Sequence, residues 1–150
     1  KFFGLPDDLN CRVSDFRKFI FQDGAFYDGI AIDIGGPGFR FNEEFDVETC
    51  EAIRARLAPG GRIVMNVMVK NDIDPLPDRI AARLAGESLR VWIVDEQGIE
   101  ERNAIIACLP ERQLNPRSAL GDILCNNRER WSIRRGRRRS RDPACGSCRG

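Results

Sequence analysis

The residue best placed for chemistry is an aspartate that closes a short apolar run. Tyr27-Asp-Gly-Ile-Ala-Ile-Asp33 reads as a buried strand ending on a carboxylate, and ligands of open α/β sheets bind outside the carboxyl ends of their strands. A carboxylate there can hold a cation and take its proton; it can equally cap the turn that follows. Gly35-Gly-Pro-Gly38 comes directly after and would let backbone approach a ligand closely, but no Lys-Ser/Thr pair follows it as in a phosphate-binding loop. Nearer the start, Asp15 and Phe16 suit a helix cap and core packing. Histidine is absent, which excludes Ser-His-Asp and Cys-His catalysis and every histidine-based zinc site. Cys145-Gly-Ser-Cys148 has the spacing of half a zinc site or a redox pair. With no second pair, and in a polar tail, it reads as incidental, and no metal is expected.

The elements that must position these residues alternate. Apolar runs at Tyr27–Asp33, Arg62–Val69, Leu89–Val94 and Ala104–Leu109 are nearly continuous, as in strands covered on both faces. Between them Val47, Cys50, Ile53 and Leu57 fall on one helical face behind an Asp46 N-cap, with Pro59-Gly60-Gly61 turning the chain into the next strand. A second helix is expected from about Pro77 to Ala85, with Leu76, Ile80 and Leu84 as its stripe and Gly86 as its stop. A short one is capped by Asp15, with Phe16, Phe19 and Ile20 inward. Strand–helix alternation gives an α/β fold with a mostly parallel sheet. Only Asp95–Asn103 separates the last two strands, too short for a crossover helix, so that pair is expected to be an antiparallel hairpin.

The chain has 150 residues, enough for one ordinary domain. Hydrophobic residues at 42% and charged residues at 31% exclude a fully disordered chain, and no apolar stretch is long enough for a spanning helix. The net charge of +1 conceals segregation: residues 128–150 carry nine arginines against two acids, or +7, and the remainder is −6. The expected divisions are a folded part over 1–112, a weakly structured extension over 113–127, which holds the apolar run Ala119–Cys125, and a disordered basic tail over 128–150. That tail would meet nucleic acid only weakly, through phosphates and without base preference. Of the six cysteines, Cys108 lies inside an apolar run, and a reduced, cytoplasmic setting is expected.

Phe3-Gly-Leu-Pro, Val13-Ser-Asp15-Phe-Arg-Lys-Phe-Ile20, Tyr27 to Asp33 and Leu57-Ala-Pro-Gly-Gly-Arg-Ile-Val-Met-Asn-Val67 occur in that order. Together, over about residues 1–112, they resemble the second half of a spermidine synthase-like aminopropyltransferase, and more broadly the S-adenosylmethionine-dependent methyltransferase fold. The resemblance implies a Rossmann-like, methyltransferase-type sheet of family strand order 3-2-1-4-5-7-6, with its N-terminal strands and glycine-rich loop lying before Lys1. The chain is thus expected to be the C-terminal part of such a domain. The strand-three segment near Cys11–Ser14 would then lack sheet neighbours, and the exposed sheet edge would favour a homo-oligomer.

The resemblance further implies transfer of an aminopropyl group from decarboxylated S-adenosylmethionine, as co-substrate, to a small-molecule amine. Asp33 would assist deprotonation of the amine, and Asp15 and Phe16 would hold the adenine. The family's second aspartate, three residues after the first, is Gly36 here, which removes one anchor for a diamine. Two alternatives stay open: a methyltransferase that uses S-adenosylmethionine itself, and an inactive fragment or non-catalytic protein with a nucleic-acid-binding basic tail.

Overall fold

The computed structural model describes residues 11–86, 89–110 and 131–136. The elements run α1 (Phe16–Gln22), β1 (Tyr27–Ile32), α2 (Phe41–Glu44), α3 (Val47–Ala55), β2 (Leu57–Val69), α4 (Leu76–Leu84), β3 (Leu89–Glu96), β4 (Arg102–Pro110) and β5 (Trp131–Arg135). The strands form one sheet in the order β1-β2-β4-β3-β5. Phe3-Gly-Leu-Pro, Ala119–Cys125 and the Cys145/Cys148 pair lie outside the described residues.

The local signals account for the helices. The Asp15 carboxylate accepts from Lys18 N at 2.9 Å and opens α1. The Asp46 carboxylate accepts from Thr49 N at 2.8 Å and opens α3. That bond to the Thr49 amide, with lesser help from the nearby Arg17 guanidinium, holds the Asp46 carboxyl below the ordinary aspartate range. In α4 the residues Ile80, Ala81 and Leu84 are fully buried, the apolar stripe of an amphipathic helix.

Leu57 departs from expectation. It leaves the helical face and starts β2, paired with Tyr27, and the register then jumps so that Gly29 faces Arg62. Pro59-Gly60-Gly61 fills that irregularity, with Gly60 at φ +83°. A Cβ on Gly61 would stand 2.9 Å from the Ala58 and Tyr27 carbonyl oxygens, so the close approach requires glycine.

The hairpin is present: β3 and β4 pair antiparallel from Leu89↔Pro110 to Val94↔Ile105. The expectation of a mostly parallel sheet needs correction. Among the described residues only β1·β2 is a parallel ladder, while β2·β4, β3·β4 and β3·β5 are antiparallel. The α4 crossover does return the chain in the direction of β2. However, β4 folds back into the gap between β2 and β3 and converts what would be one parallel ladder into two antiparallel ones. Residues 11–15 are outside the sheet.

The disordered-tail expectation also fails over residues 131–136. Residues 131–135 form the edge strand β5 along β3, with Trp92↔Arg135 and Glu96↔Trp131 in register. Arg134 pairs with Asp78 of α4, so one arginine of the basic segment is neutralised within the fold. Gly136 donates to Val91 O at 2.9 Å, and a Cβ there would meet Ala81 and Val91 at 3.2 Å. The sequence signal was masked because an arginine-rich segment with few apolar residues lacks the alternation by which strands are read.

Alternation along β2 shows how the sheet is covered: Ile63, Met65, Val67 and Val69 are buried, whereas Val64 and Met68 are exposed. The helices pack together on the buried face, where Phe45, Cys50, Ile53, Ile80, Leu84, Ile93, Ile106 and Cys108 complete the core. Among the described residues no helix is long and apolar enough to cross a membrane.

Burial raises both core thiols, Cys50 and Cys108, to about 12. The thiolate is the reactive form, and it is scarce at any pH well below that value. Maleimide labelling of the native protein at pH 7.5, mapped by mass spectrometry, should modify the exposed Cys11 and spare Cys50 and Cys108 until denaturant is added. Prompt native-state labelling of either core cysteine would contradict this packing.

Candidate functional site

Parallel pairing of β1 with β2 sets the centre of the site. Ile32 lies opposite Met65, so the next step along both strands brings Asp33 beside Asn66. The Asn66 amide donates to Asp33 Oδ1 at 3.0 Å. The other amide atom, Asn66 Oδ1, is buried and has no hydrogen-bond partner among the described residues. The two residues face a cleft of about 700 Å³ at the carboxyl ends of β1 and β2. That is the size of a small-molecule site and the place where open α/β sheets bind ligands.

The walls come from three directions. Ile34, Gly35 and Gly36 lead out of β1, and Phe39 and Phe41 form the apolar side. Those rings belong to a cluster: Phe39 meets Phe41 edge-on with centroids 4.9 Å apart, and Phe16 lies 5.3 Å from the fully buried Phe45. Gly36 (φ +145°) and Gly38 (φ +81°) take conformations that favour glycine, so the Gly-Gly-Pro-Gly segment serves as a turn that delivers Phe39. From the far side, Lys70, Asp74, Leu76 and Arg79 line the cleft at the end of β2 and the start of α4, and Asn103 joins them from β4. Arg83 locks this frame, donating to the carbonyls of Asn42 (2.9 Å) and Phe45 (2.8 Å).

The charges of the cleft sort into engaged and available groups. Asp74 is engaged, accepting from Lys70 N at 3.0 Å and Leu76 N at 2.9 Å. Glu43 pairs with Arg40 at 3.2 Å. Among the described residues Asp33 is bound by Asn66 alone, and the side chains of Lys70 and Arg79 have no carboxylate partner.

The structure places the three sequence-derived candidates differently. Asp33 is in the cleft. Asp15 caps α1 and does not line the cleft. Phe16 lies 6.1 Å from Phe39, a cleft residue, so the α1 N-terminus stands at the same end of the sheet as Asp33. Phe16 also lines a second hollow of about 550 Å³ with Arg12, Ser14 and Tyr27. At its far end Tyr27 donates its hydroxyl to Asp23, which lowers the Asp23 carboxyl and raises the Tyr27 phenol from their ordinary values. Among the described residues no three His, Cys, Asp or Glu side chains gather as metal ligands would.

Asn66, Lys70 and Arg79 were not legible as site residues. Asn66 sits in an apolar strand sequence, and only the parallel register reveals its partner. Lys70 and Arg79 look like ordinary surface cations until the β2–α4 connection brings them to the strand ends.

Scanned against models of known families, the chain matches none, and no curated protein matches it in sequence. Among solved structures, a probable spermidine synthase from Corynebacterium glutamicum ATCC 13032 is similar, with a TM-score of 0.60 and 22% identity over 83% of this chain. The chain spans 48% of that protein, about half its length. At this identity the likeness is one of fold: a mixed α/β architecture with a five-stranded sheet, similar to that of the spermidine synthase.

Proposed function

We propose that the cleft serves a spermidine synthase-like transfer: an aminopropyl group moves from decarboxylated S-adenosylmethionine to an amine, with Asp33 receiving the amine's proton. The observation that carries this reading is the Asp33 carboxylate, fixed by Asn66 at 3.0 Å at the mouth of a cleft on the carboxyl end of β1. An alkylammonium, with a pKa of about 10, has no lone pair with which to attack. Asp33 binds it as its counter-charge. As the proton passes to Asp33, the nitrogen pair forms a bond to the carbon beside the sulfonium. The carbon–sulfur bond breaks, its electrons stay on sulfur, and methylthioadenosine leaves. Asp33 then gives the proton to water.

The chain's own residues suit the charge change. A sulfonium is attracted to the faces of aromatic rings, and Phe39 and Phe41 line the cleft. Asp15 retains acceptor capacity beyond its cap bond and stands at the same end of the sheet, where an adenine amine would find it. The test supplies the protein with decarboxylated S-adenosylmethionine and a panel of primary amines and measures methylthioadenosine by chromatography. Amine-dependent release supports the reading. Release from S-adenosylmethionine of S-adenosylhomocysteine instead, with a methylated product, would replace it with methyl transfer.

A further inference from the structure

The cleft is not built for a plain diamine. A diamine has two ammonium ends and calls for two carboxylates, but the position three residues after Asp33 is Gly36, whose φ of +145° and open surroundings give it no side-chain role. The remaining acids of the cleft are already committed: Asp74 to the amides of Lys70 and Leu76, Glu43 to Arg40. Besides Asp33 and Asp74, the charged cleft groups without an oppositely charged partner among the described residues are two cations, Lys70 and Arg79. Lys70 follows Asn66 by four residues, just past the end of β2, about 13 Å along a strand, so its extended side chain covers about half of that gap and a ligand several bonds long would span the rest. Arg79 stands in the first turn of α4, where the helix dipole adds to the positive potential. One end of the cleft thus attracts a cation and the other an anion.

We propose that the acceptor is an amino acid: a small molecule whose reactive amine lies at Asp33 and Asn66 and whose carboxylate, at the remote end, is held by Lys70 and Arg79. The inference rests on the reading of the cleft as an amine-acceptor site and names its substrate class. Guanidinium–carboxylate recognition is directional, so Arg79 fixes the orientation and Lys70 contributes charge.

The test is calorimetric titration of the protein, without donor, with three probes of similar length: 1,4-diaminobutane, ornithine and 5-aminopentanoate. Ornithine and 5-aminopentanoate should bind at least tenfold more tightly than the diamine. The double variant Lys70→Glu/Arg79→Glu should reverse that order, and Lys70→Gln/Arg79→Gln should level it. Both positions are solvent-exposed, so circular dichroism should show all three proteins folded alike. A wild-type preference for the diamine, an order unchanged by charge reversal, or no binding of any probe overturns the inference. Because the donor is left out, these outcomes are independent of the transfer reading. That reading fails only if methylthioadenosine release fails, whichever probe binds.

Discussion

Asp33→Asn lowers the rate of amine-dependent methylthioadenosine release by about a hundredfold or more, the range of positioned acid–base groups, and leaves the fold in place. Asparagine is nearly isosteric, and its carbonyl oxygen can still accept from the Asn66 amide that now binds Asp33 Oδ1 at 3.0 Å. What is lost is the negative charge and the capacity to take a proton. Both losses act on the acceptor: the ammonium is bound less well, and the bound amine keeps its proton. The effect should therefore appear in kcat as well as in KM, with more of it in kcat. Raising the pH toward the acceptor's own pKa, about 10, should recover part of the variant's rate, because the free base then arrives without help. The wild-type enzyme should gain less over the same interval. Unchanged turnover in Asp33→Asn removes Asp33 from the mechanism. A loss without the pH recovery assigns it to binding alone.

The parts of this arrangement that could be read in the sequence are those governed by local physics. The Asp15 and Asp46 caps, the Ile80–Leu84 stripe of α4 and the tight 89–109 hairpin depend on neighbours within a few residues. Asp33 was legible because a carboxylate at the end of an apolar strand is locally visible. The rest depends on pairings between distant segments. Nothing near Asn66 announces Asp33, thirty-three residues away. Nothing near Trp131–Arg135 announces that β3 lacks an outer neighbour until those residues fill it. The position of β4 between β2 and β3, which makes the described sheet chiefly antiparallel in its ladders, follows from the hairpin closing inward rather than outward, a choice the turn residues do not encode. Lys70 and Arg79 illustrate the same limit, since charge at strand and helix ends acquires meaning only when the ends converge.

Removing the buried guanidinium of the β3–β4 hairpin should have the largest effect on stability and should also disturb the cleft. Arg102 is 8% exposed and Asp95 5%. The guanidinium donates to both Asp95 oxygens, at 2.7 and 2.9 Å, to the Ile99 carbonyl, and reaches Asp72 at 3.0 Å. These bonds, led by that to Asp95, raise the Arg102 pKa further above its ordinary value, so the charge persists throughout the working pH range. In Arg102→Leu the Asp95 carboxylate loses its bidentate partner in a place with little water. The cost of breaking a buried pair from one side is about 3–5 kcal/mol, and solvent reaching Asp72 argues for the lower end. Urea titration should show a clear drop in midpoint, and adding Asp95→Leu should restore much of it, because a buried pair replaced whole by apolar groups often costs little. The consequence for the site follows from what the hairpin holds. Asp72 accepts from Gly98 N at 3.1 Å, and Glu101 N donates to Lys70 O at 3.0 Å, so the hairpin turn and Arg102 together pin the segment 70–74 that carries Lys70 and Asp74 into the cleft. With Arg102 gone, that segment is held by fewer bonds, and carboxylate-bearing probes should bind several-fold more weakly under conditions where the variant is still folded. The Arg102→Leu/Asp95→Leu protein, restored in stability but still without the contact to Asp72, should keep this binding defect. A double variant that recovers both stability and binding would mean that the hairpin supports the fold without positioning the site.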